Sequence, residues 1–375
     1  MIYSVMAWLA TRTPIRPSQR ASGALPRVTV LKPLCGAEPE TYDCLRSFCE
    51  QDYPDFQVVF GVSDSDDPAL GIVQRLRMEF PHLDLQVAID RRQHGSNRKV
   101  SNLLNMMPLA RHDYLVLSDC DVRVSRDYLA KVVAPLLDHG VGIVTCPYRG
   151  VARPGLWSLL GSMYINEWFM PSVRVAAVGG SRSFAFGATI AIRRHVLTNL
   201  GGFASLANQL ADDYRLGELT RRMGLRTVLS EVEVETYVRE RSVEDLVRHE
   251  LRWLRTIRAI QPSGYGFSFV TFGIPVTVLQ ALLVRGASTA VGFLAVTALA
   301  RVMLHLSVRR KGTNALLIFL LPLRDFLSFA LWGWSFTTRR VQWREERYHI
   351  TRDGSAQPVV RSGAVAQTTG LTPGS

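Results

Sequence analysis

Three long apolar segments in the last third of the chain constrain its fold more than any other feature. Each carries at most two charged side chains, and they cover residues 266–284, 287–308 and 315–336. A helix of about 20 apolar residues can cross the hydrocarbon core of a bilayer. The segments therefore predict a membrane-bound protein with several spans, although each could also be a buried helix of a soluble core. A chain of 375 residues leaves room for one large domain ahead of them.

The charges around these segments leave their topology open. The third segment contains Arg324 and Asp325, which need polar partners if the segment enters a membrane. Basic clusters follow the second segment, at 309–311, and the third, at 339–347. Basic flanks favour the cytoplasmic side, and these two flanks cannot both lie there if every segment crosses completely. One segment could therefore be re-entrant or interfacial.

The net charge of +12 suits a nucleic acid, an anionic membrane surface or an anionic small substrate. We find no zinc-finger spacing and no basic helix with heptads, and much of the excess charge lies beside the apolar segments. Membrane phosphates are therefore favoured over nucleic acid as the partner. The five cysteines show no CxxC pairing, so we expect a reduced, cytosolic setting with neither a zinc site nor a disulfide framework.

The composition divides the chain into four parts. Residues 1–26 are a short apolar start and a polar linker, and the start could be the remnant of a membrane anchor, an interfacial foot, or a segment with no membrane role. Residues 27–262 form the predicted α/β domain, and residues 263–340 form the transmembrane or interfacial helices. Residues 341–375 are a basic segment and a tail, in which the Gly, Ser, Thr and Pro content from 351 onwards predicts disorder.

The domain begins with β-branched runs that alternate with amphipathic stretches. Strands are predicted at 28–31, 56–62, 85–89, 114–117 and 141–146, with helices between them at 38–50, 67–79, 98–107 and 126–138. Beyond residue 150 the pattern predicts an amphipathic stretch at 157–170, a strand at 184–192, and helices at 212–222 and 242–260. This order is typical of a mostly parallel, doubly wound α/β sheet, whose ligands bind at the carboxyl ends of the strands.

Two groups of carboxylates directly follow predicted strands. Asp64, Asp66 and Asp67 follow the second strand, and Asp119 and Asp121 follow the fourth. Paired carboxylates at a strand end suit a hard divalent cation, such as Mg²⁺ or Mn²⁺, that bridges to the phosphates of a nucleotide diphosphate. The alternative is structural, because Asp also favours turns and helix starts.

Two more candidate groups lie on predicted helices. Asp212 and Asp213 are adjacent, so one of them could have the raised pKa of a general base, or both could cap their helix. The helix before the first apolar segment carries Trp253 and, three and four residues apart on one side, the arginines Arg248, Arg252 and Arg255. Arginine forks suit diphosphate oxygens, and a plain basic helix that binds lipid headgroups is the alternative.

The order of these signals resembles glycosyltransferase family 21, the ceramide glucosyltransferase family, and within it the bacterial members associated with hopanoid biosynthesis. The resemblance extends from about residue 28 to residue 348, and it rests on 31–36 (LKPLCG), 51–54 (QDYP), 64–68, 95–103 (GSNRKVSNL), 119–124, 212–214 and 252–253. It implies a GT-A fold, which is Rossmann-like with a mostly parallel sheet. It also implies an inverting transfer from a UDP-sugar to the hydroxyl group of a membrane lipid.

The resemblance implies roles for residues on the donor side. Asp64 and Asp67 are expected at the uridine and ribose, and Lys99 and Asn102 are expected to help hold the nucleotide. The pair at 119–121 is expected at the divalent metal and the diphosphate, with Asp119 and Asp121 as the metal ligands. The animal ceramide enzymes have a non-acidic residue at the position of Asp121. That Asp121 binds the metal therefore rests on the chemistry of carboxylates rather than on the resemblance.

On the acceptor side, the resemblance implies that Asp213 removes the proton of the acceptor hydroxyl while its oxygen attacks the anomeric carbon opposite UDP. Arg252 stabilises the leaving diphosphate together with the metal, and with Trp253 it closes the site at the membrane. His249 departs from the family pattern, since it stands where Gln or Arg is usual. It can still donate a hydrogen bond to the donor.

Two acceptors and a second class of function stay open. The run at 249–258 favours UDP-N-acetylglucosamine as donor and a hopanoid polyol such as bacteriohopanetetrol as acceptor, and UDP-glucose with ceramide is the alternative. Either reaction predicts a multi-pass membrane protein, in a bacterial inner membrane, with its catalytic domain on the cytoplasmic side. The other class is a catalytically silent membrane protein that senses a nucleotide sugar.

Overall fold

The computed structural model describes residues 1–15, 24–181, 184–283, 287–309, 315–343, 346–351 and 354–358. Its helices are α1 (Ile2–Arg12), α2 (Thr41–Cys49), α3 (Ala69–Glu79), α4 (Arg98–Met106), α5 (Tyr128–Val133), α6 (Leu156–Tyr164), α7 (Met170–Val178), α8 (Arg194–Asn199), α9 (Asp212–Arg222), α10 (Val243–Ile260), α11 (Pro262–Phe267), α12 (Gly273–Leu283), α13 (Ala287–Val308) and α14 (Leu321–Ser335). Its strands are β1 (Val28–Pro33), β2 (Phe56–Val62), β3 (Asp84–Ile89), β4 (Tyr114–Leu117), β5 (Val122–Arg123), β6 (Val141–Thr145), β7 (Tyr148–Ala152), β8 (Ile190–Arg193), β9 (Arg226–Leu229), β10 (Val234–Val238), β11 (Arg340–Trp343), β12 (Glu346–Ile350) and β13 (Ala356–Pro358).

The largest sheet of the described residues has seven strands, in the order β3-β2-β1-β4-β8-β6-β9. Strand β1 pairs in parallel with both β2 and β4, and β2 pairs in parallel with β3. Strand β8 runs antiparallel to its neighbours β4 and β6, whereas β6 and β9 are parallel. The predicted mostly parallel sheet is confirmed, with one antiparallel strand drawn from the 184–192 region.

Helices cover both faces of this sheet, which explains the nearly continuous apolar sequence of its central strands. Every residue of β2 is buried, and so are the first five of β1. One hydrophobic cluster contains Phe48 of α2 and Val73 of α3, and another contains Leu103 and Met106 of α4. The amphipathic stretches predicted at 38–50, 67–79 and 98–107 therefore supply the covering layers.

A smaller sheet stands beyond the carboxyl end of β4, in the order β5-β10-β7. Strand β10 is antiparallel to β5 and parallel to β7. Since β4 ends at Leu117 and β5 begins at Val122, the residues between them connect the two sheets. The predicted carboxylate pair at 119 and 121 lies in this connection, where the ligands of such sheets bind.

The amphipathic stretch predicted at 157–170 forms α6 and continues through a π-helical turn, Ile165–Phe169, into α7. Such turns are rare and frequently lie at functional sites. The turn places Glu167 in the protein interior, while Trp168 and Phe169 face the cavity described below.

Helices α1, α12, α13 and α14 form an apolar layer against α6, α7 and α10. By length and composition, two helices of the described part could cross a membrane, Thr289–Val308 and Leu317–Ser335. A bent pair, Pro262–Thr271 with Gly273–Leu283, would make a third if it formed one span. Large apolar side chains are exposed on the outer side of this layer.

The charged residues of the apolar segments face inward. Each has a buried partner at hydrogen-bond distance: Arg301 with Glu167 (3.0 Å) and with Asp325 (3.0 Å), His305 with Glu167 (2.9 Å), and Arg324 with Glu250 (2.6 Å). The partners predicted to be necessary for Arg324 and Asp325 are therefore present. Two of these acidic partners lie outside the apolar segments, on the π-turn and on α10, so the pairs hold the layer against the domain.

A third sheet, β11-β12-β13, follows α14 and packs against the loop before α9. The backbone N–H of Leu210 donates to the carbonyl of Gly354 (3.1 Å), and that of Ala356 donates to the carbonyl of Asn208 (2.8 Å). The sequence predicts a disordered tail from 351 onwards, but residues 354–358 are ordered. They are ordered because backbone hydrogen bonds to β12 and to the loop pair their N–H and C=O groups. Residues 352–353 and 359–375 of that tail lie outside the described residues.

Candidate active site

A cavity of about 680 Å³ opens at the carboxyl end of β4. One end is lined by charged side chains and the other by apolar ones. The predicted site residues that line it are Lys99, Asp119, Asp121, Asp213, His249, Arg252 and Trp253. These residues are up to 154 positions apart in sequence and meet in one place. A cavity with a charged end and an apolar end fits a substrate that has a polar and an apolar part.

The two carboxylates after β4 differ in their surroundings. Lys99 Nζ lies 2.6 Å from Asp119 Oδ1 and 3.7 Å from Asp212 Oδ2. Burial alone would lower the pKa of Lys99, but these two carboxylates outweigh it and the pKa is raised. Burial and the neighbouring Asp119 raise the pKa of Asp121, whose nearest cation is Arg239 at 3.9 Å. Among the described residues, this end of the cavity therefore places four aspartate carboxylates beside three cations: Asp119, Asp121, Asp212 and Asp213 beside Lys99, Arg239 and Arg252.

These carboxylates fit a divalent cation only in part. The described residues contain no group of three or more His, Cys, Asp or Glu side chains that could hold a metal ion. A cation beside Asp119 and Asp121 would relieve the repulsion that raises the pKa of Asp121. Mg²⁺ and Mn²⁺ commonly complete their ligand shell with water and substrate phosphate oxygens. The pair therefore suits an ion whose remaining ligands come from the diphosphate of a donor.

Lys32 contacts the connection between β4 and β5, and the sequence analysis assigned it no role, although it lies in the LKPLCG motif at 31–36. Its Nζ donates to the backbone carbonyl of Asp119 (2.5 Å) and lies 3.8 Å from the ring centroid of Phe48. Burial lowers its pKa to about 8. A lysine in an otherwise apolar buried strand was the available signal, since a buried amine needs a specific acceptor.

Asp213 lies in the first turn of α9, and among the described residues no N-cap side chain makes a capping hydrogen bond at the start of this helix. Its Oδ2 accepts a hydrogen bond from the backbone N–H of Gly187 (2.8 Å), and its Oδ1 accepts one from the N–H of Tyr214 (2.7 Å). Burial and the adjacent Asp212 raise its pKa to about 6, despite the opposing effect of Lys99. A carboxyl group with this pKa is suited to proton transfer near neutral pH.

Glycine at position 187 keeps the centre of the site open. A Cβ added there would lie 3.0 Å from Lys99 Nζ, 3.4 Å from Asp119 Oδ2 and 3.5 Å from Asp213 Oδ2. The three charged groups therefore converge on one backbone position.

Helix α4 is tied to the loop that carries the aspartate pair. Asn97 caps α4 by accepting from the N–H of Val100 (3.0 Å), and its Nδ2 donates to the carbonyl of Gln209 (2.7 Å) and to Asp212 Oδ1 (3.2 Å). Lys99 lies two residues after this cap. One side chain thus sets the distance between the lysine and the aspartates.

Helix α10 contributes one face of the cavity. His249 Nδ1 lies 2.5 Å from Glu240 Oε1, and its ring packs edge-on against Trp253 with centroids 4.7 Å apart. Burial lowers the pKa of Arg252, against the effect of Asp119 and other carboxylates that favour its charged form. Of the three arginines predicted on one side of this helix, only Arg252 lines the cavity.

Three predicted donor residues lie beside the cavity and do not line it. Asp67 accepts from the N–H groups of Gly36 (3.0 Å) and Ala69 (2.9 Å), so it holds the β1 and β2 exits together. Asn102 donates to the carbonyl of Gly61 (2.8 Å), and Asp64 pairs on the surface with Arg91 (2.7 Å). These contacts are structural, and they shape the edge of the sheet next to the cavity.

Sequence reasoning missed several residues of the cavity. The most informative are Arg239 and Glu240, which directly follow β10. They were missed because β10 itself was not predicted, although charged residues after a β-branched run are the same signal that identified the carboxylates at 119 and 121.

The apolar arm of the cavity lies between α7, the π-turn and α10. It is lined by Ile165, Trp168, Phe169, Val173, Ile257 and Ile260. The indole N–H of Trp168 donates to Thr271 Oγ1 (2.8 Å), and its ring stacks on Phe272 at a centroid distance of 5.5 Å. These two residues lie at the bend between α11 and α12, so the wall of the arm rests on the apolar layer.

With this geometry in place, comparison with known proteins identifies the family. Residues 1–356 match the family model described as glycosyl transferase family 21. The chain belongs to glycosyl transferase family 21. The predicted membership of glycosyltransferase family 21 is thereby confirmed.

Curated relatives of this family 21 chain are named ceramide glucosyltransferases. The one from Gibberella zeae is 30% identical over 150 residues, which are 36% of this chain and 28% of the relative. Ceramide glucosyltransferase 3 of Caenorhabditis elegans is 22% identical over 246 residues, which are 65% of this chain and 53% of the relative. The family 21 chain thus spans between 28% and 53% of the length of these relatives.

A solved structure confirms the predicted fold class. A mannosyltransferase from Pyrobaculum calidifontis, solved in complex with GDP-mannose and Mn²⁺, superimposes on the family 21 chain with a TM-score of 0.54 at 21% identity. The likeness covers 89% of this chain and 92% of that protein. At this identity the likeness speaks for the GT-A fold alone.

Proposed function

We propose that this chain transfers a sugar from a UDP-sugar to the hydroxyl group of a membrane lipid, with inversion at the anomeric carbon. One observation carries the proposal. The same cavity contains Asp213, whose pKa is raised, and an apolar arm whose wall rests on the apolar helices. A lipid alcohol needs both, because its hydroxyl must reach a base while its chain stays out of water.

In the proposed reaction, Asp213 accepts the proton of the acceptor hydroxyl. The N–H groups of Gly187 and Tyr214 hold its carboxylate in place, so the proton is taken at a fixed position. Arg252 and Lys99 provide positive charge on the donor side, where negative charge develops on the leaving diphosphate. A divalent ion held by Asp119 and Asp121 would neutralise part of that charge when bound.

The donor's nucleotide is proposed to lie along the edge of the sheet beside these groups. Asp64 and Asp67 at the β2 exit, and Asn102 on α4, keep the donor-side roles that the family resemblance implies. Their contacts fix the backbone of the β1 and β2 exits, so their contribution to the nucleotide pocket would be to shape it.

Two pairs of donor and acceptor are proposed, and they are given in the order in which they should be tested. The names of the curated relatives support a glucose donor and ceramide as the pair to test first. The resemblance of residues 249–258 to the hopanoid-associated bacterial members supports UDP-N-acetylglucosamine with bacteriohopanetetrol as the second pair.

The test combines each donor with each acceptor. Membranes that contain the protein are incubated with UDP-glucose or UDP-N-acetylglucosamine, Mg²⁺ or Mn²⁺, and ceramide or bacteriohopanetetrol, and products are identified by mass spectrometry. We expect one glycolipid that disappears with Asp213→Asn and persists with Asp113→Asn, a matched change at a carboxylate that is 86% exposed. Equal product from both variants would contradict the proposed base. No product from any pair, with UDP binding retained, would contradict the transfer and support a nucleotide-sugar sensor.

A further inference from the structure

Helix α14 lies alongside α10 and runs in the same direction. Three features taken in chain order place the two helices side by side. Leu246 and Leu321 belong to one buried cluster, Glu250 forms an ion pair with Arg324, and the guanidinium of Arg258 lies over the ring of Phe336, the residue after α14. The ion pair is 2.6 Å long, and the guanidinium lies 5.5 Å from the ring centroid. The contacts span most of both helices, so α14 shares its depth and orientation with α10.

Helix α10 cannot lie within the hydrocarbon core of a bilayer. Its 18 residues include His249 and seven residues with charged side chains, Glu244, Asp245, Arg248, Glu250, Arg252, Arg255 and Arg258. On insertion scales, each central Arg or Asp costs about 2.5–3.5 kcal/mol. If a helix that lies beside α10 over this length crossed the hydrocarbon core, which is about 30 Å thick, the charged side chains of α10 would also enter that core.

The outer face of α14 is nevertheless apolar. The exposed large side chains of this region are Phe319, Leu323, Phe326, Trp334 and Phe336, while the polar residues Arg324, Asp325, Ser328 and Ser335 are buried. The helix therefore has polar groups inside and apolar groups outside, the reverse of a helix on a water-exposed surface. Such a face requires apolar surroundings, and its two aromatic residues near the carboxyl end suit the boundary between lipid and water.

We propose that α14 lies flat in a single leaflet as an interfacial helix, with its outer face among the acyl chains and α10 behind it on the aqueous side. The occupant of this face is the bilayer itself. The proposal needs no particular reaction, so it stands apart from the proposed function. Helix α14 is then no longer one of the helices that cross the membrane, although its length and composition would permit it to cross.

The basic flanks of α14 support the same conclusion independently. Residues 309–311 precede it and residues 339–347 follow it, and both groups are rich in arginine or lysine. If α14 crossed the membrane, one of the two groups would lie on the disfavoured side. A flat helix places both on the same side, facing the anionic lipids of one leaflet.

The topology can be tested with single cysteines and a membrane-impermeant maleimide. Asn314→Cys stands before α14 in the sequence and Arg339→Cys stands after it, and Asp113→Cys marks the α/β domain, each in a variant without the five natural cysteines. Labelling is compared between spheroplasts and inverted vesicles. We expect all three sites to label from the same side, and labelling of 314 and 339 from opposite sides would overturn the proposal. Should the cysteine-free variant not fold, epitope tags inserted after the same positions in the native chain give the same comparison.

A depth measurement tests whether lipid covers the outer face. An environment-sensitive fluorophore is attached at Phe319→Cys or at Trp334→Cys, 15 positions apart, in nanodiscs that contain lipids with nitroxides near the headgroup or near the bilayer centre. A flat helix predicts equal quenching at the two positions, strongest with the shallow nitroxide. A crossing helix would separate them by about 22 Å in depth. No quenching at either position, as expected for a label at Asp113→Cys, would show that lipid does not cover this face.

Discussion

Arg324 and Glu250 form a fully buried, two-pronged ion pair in which Nη1 donates to Oε1 (2.8 Å) and Nη2 donates to Oε2 (2.6 Å). The arginine also donates to Ser328 Oγ and to the carbonyl of Leu160, so little of its hydrogen-bonding capacity is unused. Glu250 lies on α10 next to His249, which faces the cavity. The pair therefore fixes the rotation of the helix that presents the cavity residues.

Removing one partner of this pair should destabilise the protein strongly. Arg324→Met leaves a buried carboxylate without its counter-charge, at a cost of about 3–5 kcal/mol. We expect the double change Arg324→Met with Glu250→Gln to recover much of that loss, measured as the thermal midpoint in detergent. The control is Arg226→Met, whose partner Asp138 is on the surface and whose pair is worth less than about 1 kcal/mol. A double variant no more stable than Arg324→Met would contradict the assignment.

The activity should rise with pH through the pKa of Asp213. Burial and Asp212 raise this pKa to about 6, and the base acts in its deprotonated form. Below pH 6 the rate should therefore fall about tenfold per pH unit. Asp212→Asn removes a neighbouring negative charge and should move the midpoint to lower pH, as measured from kcat/KM between pH 5 and 8. A midpoint that stays in place would show that another group controls the rate.

Lys99 should contribute to nucleotide affinity. Its ammonium group is the cation nearest to Asp119, at 2.6 Å, and it lines the cavity. Loss of one charge-assisted hydrogen bond costs about 1.5–3 kcal/mol, so Lys99→Met should weaken UDP binding roughly 10- to 100-fold by calorimetry. Lys131→Met, which removes a surface lysine paired with Asp127, is the matched control and should bind UDP normally. Equal affinity in both variants would place the nucleotide elsewhere.

The apolar arm should determine the affinity for the lipid acceptor. Ile257→Ala removes three methyl and methylene groups from its wall, and at about 0.8 kcal/mol per buried group this predicts an increase in the acceptor KM of up to roughly 60-fold. The KM for the UDP-sugar should not change, because its charged partners remain. Ile89→Ala, at an exposed position outside the cavity, serves as control. A change in the donor KM alone would assign the arm to the donor instead.

Local patterns predicted the mostly parallel sheet correctly, and several of the residues they singled out line the cavity. Strands β2 and β4 begin and end where their β-branched runs do, and α9 begins at the predicted Asp212. These features depend on periodicity and on turn residues, which are local in sequence. The family motifs added the roles of Asp213 and Arg252, which the cavity brings together at its charged end.

The rest depends on contacts that are distant in sequence. The partner of Arg324 lies 74 residues earlier, and no local pattern identifies it. The His249 and Glu240 pair is closer, but it links a helix to a strand end whose strand was not predicted. Composition also could not distinguish a crossing helix from one that lies flat, because both require a similar number of apolar residues.

The third sheet has a consequence for the order in which the protein becomes complete. The loop at 207–211, which leads into the aspartate pair, obtains backbone partners from Gly354 and Ala356. During synthesis, those partners leave the ribosome more than 140 residues after the loop, and the apolar segments at 266–336 precede them. The loop before Asp212 and Asp213 therefore cannot take its final backbone contacts until the apolar segments have been synthesised.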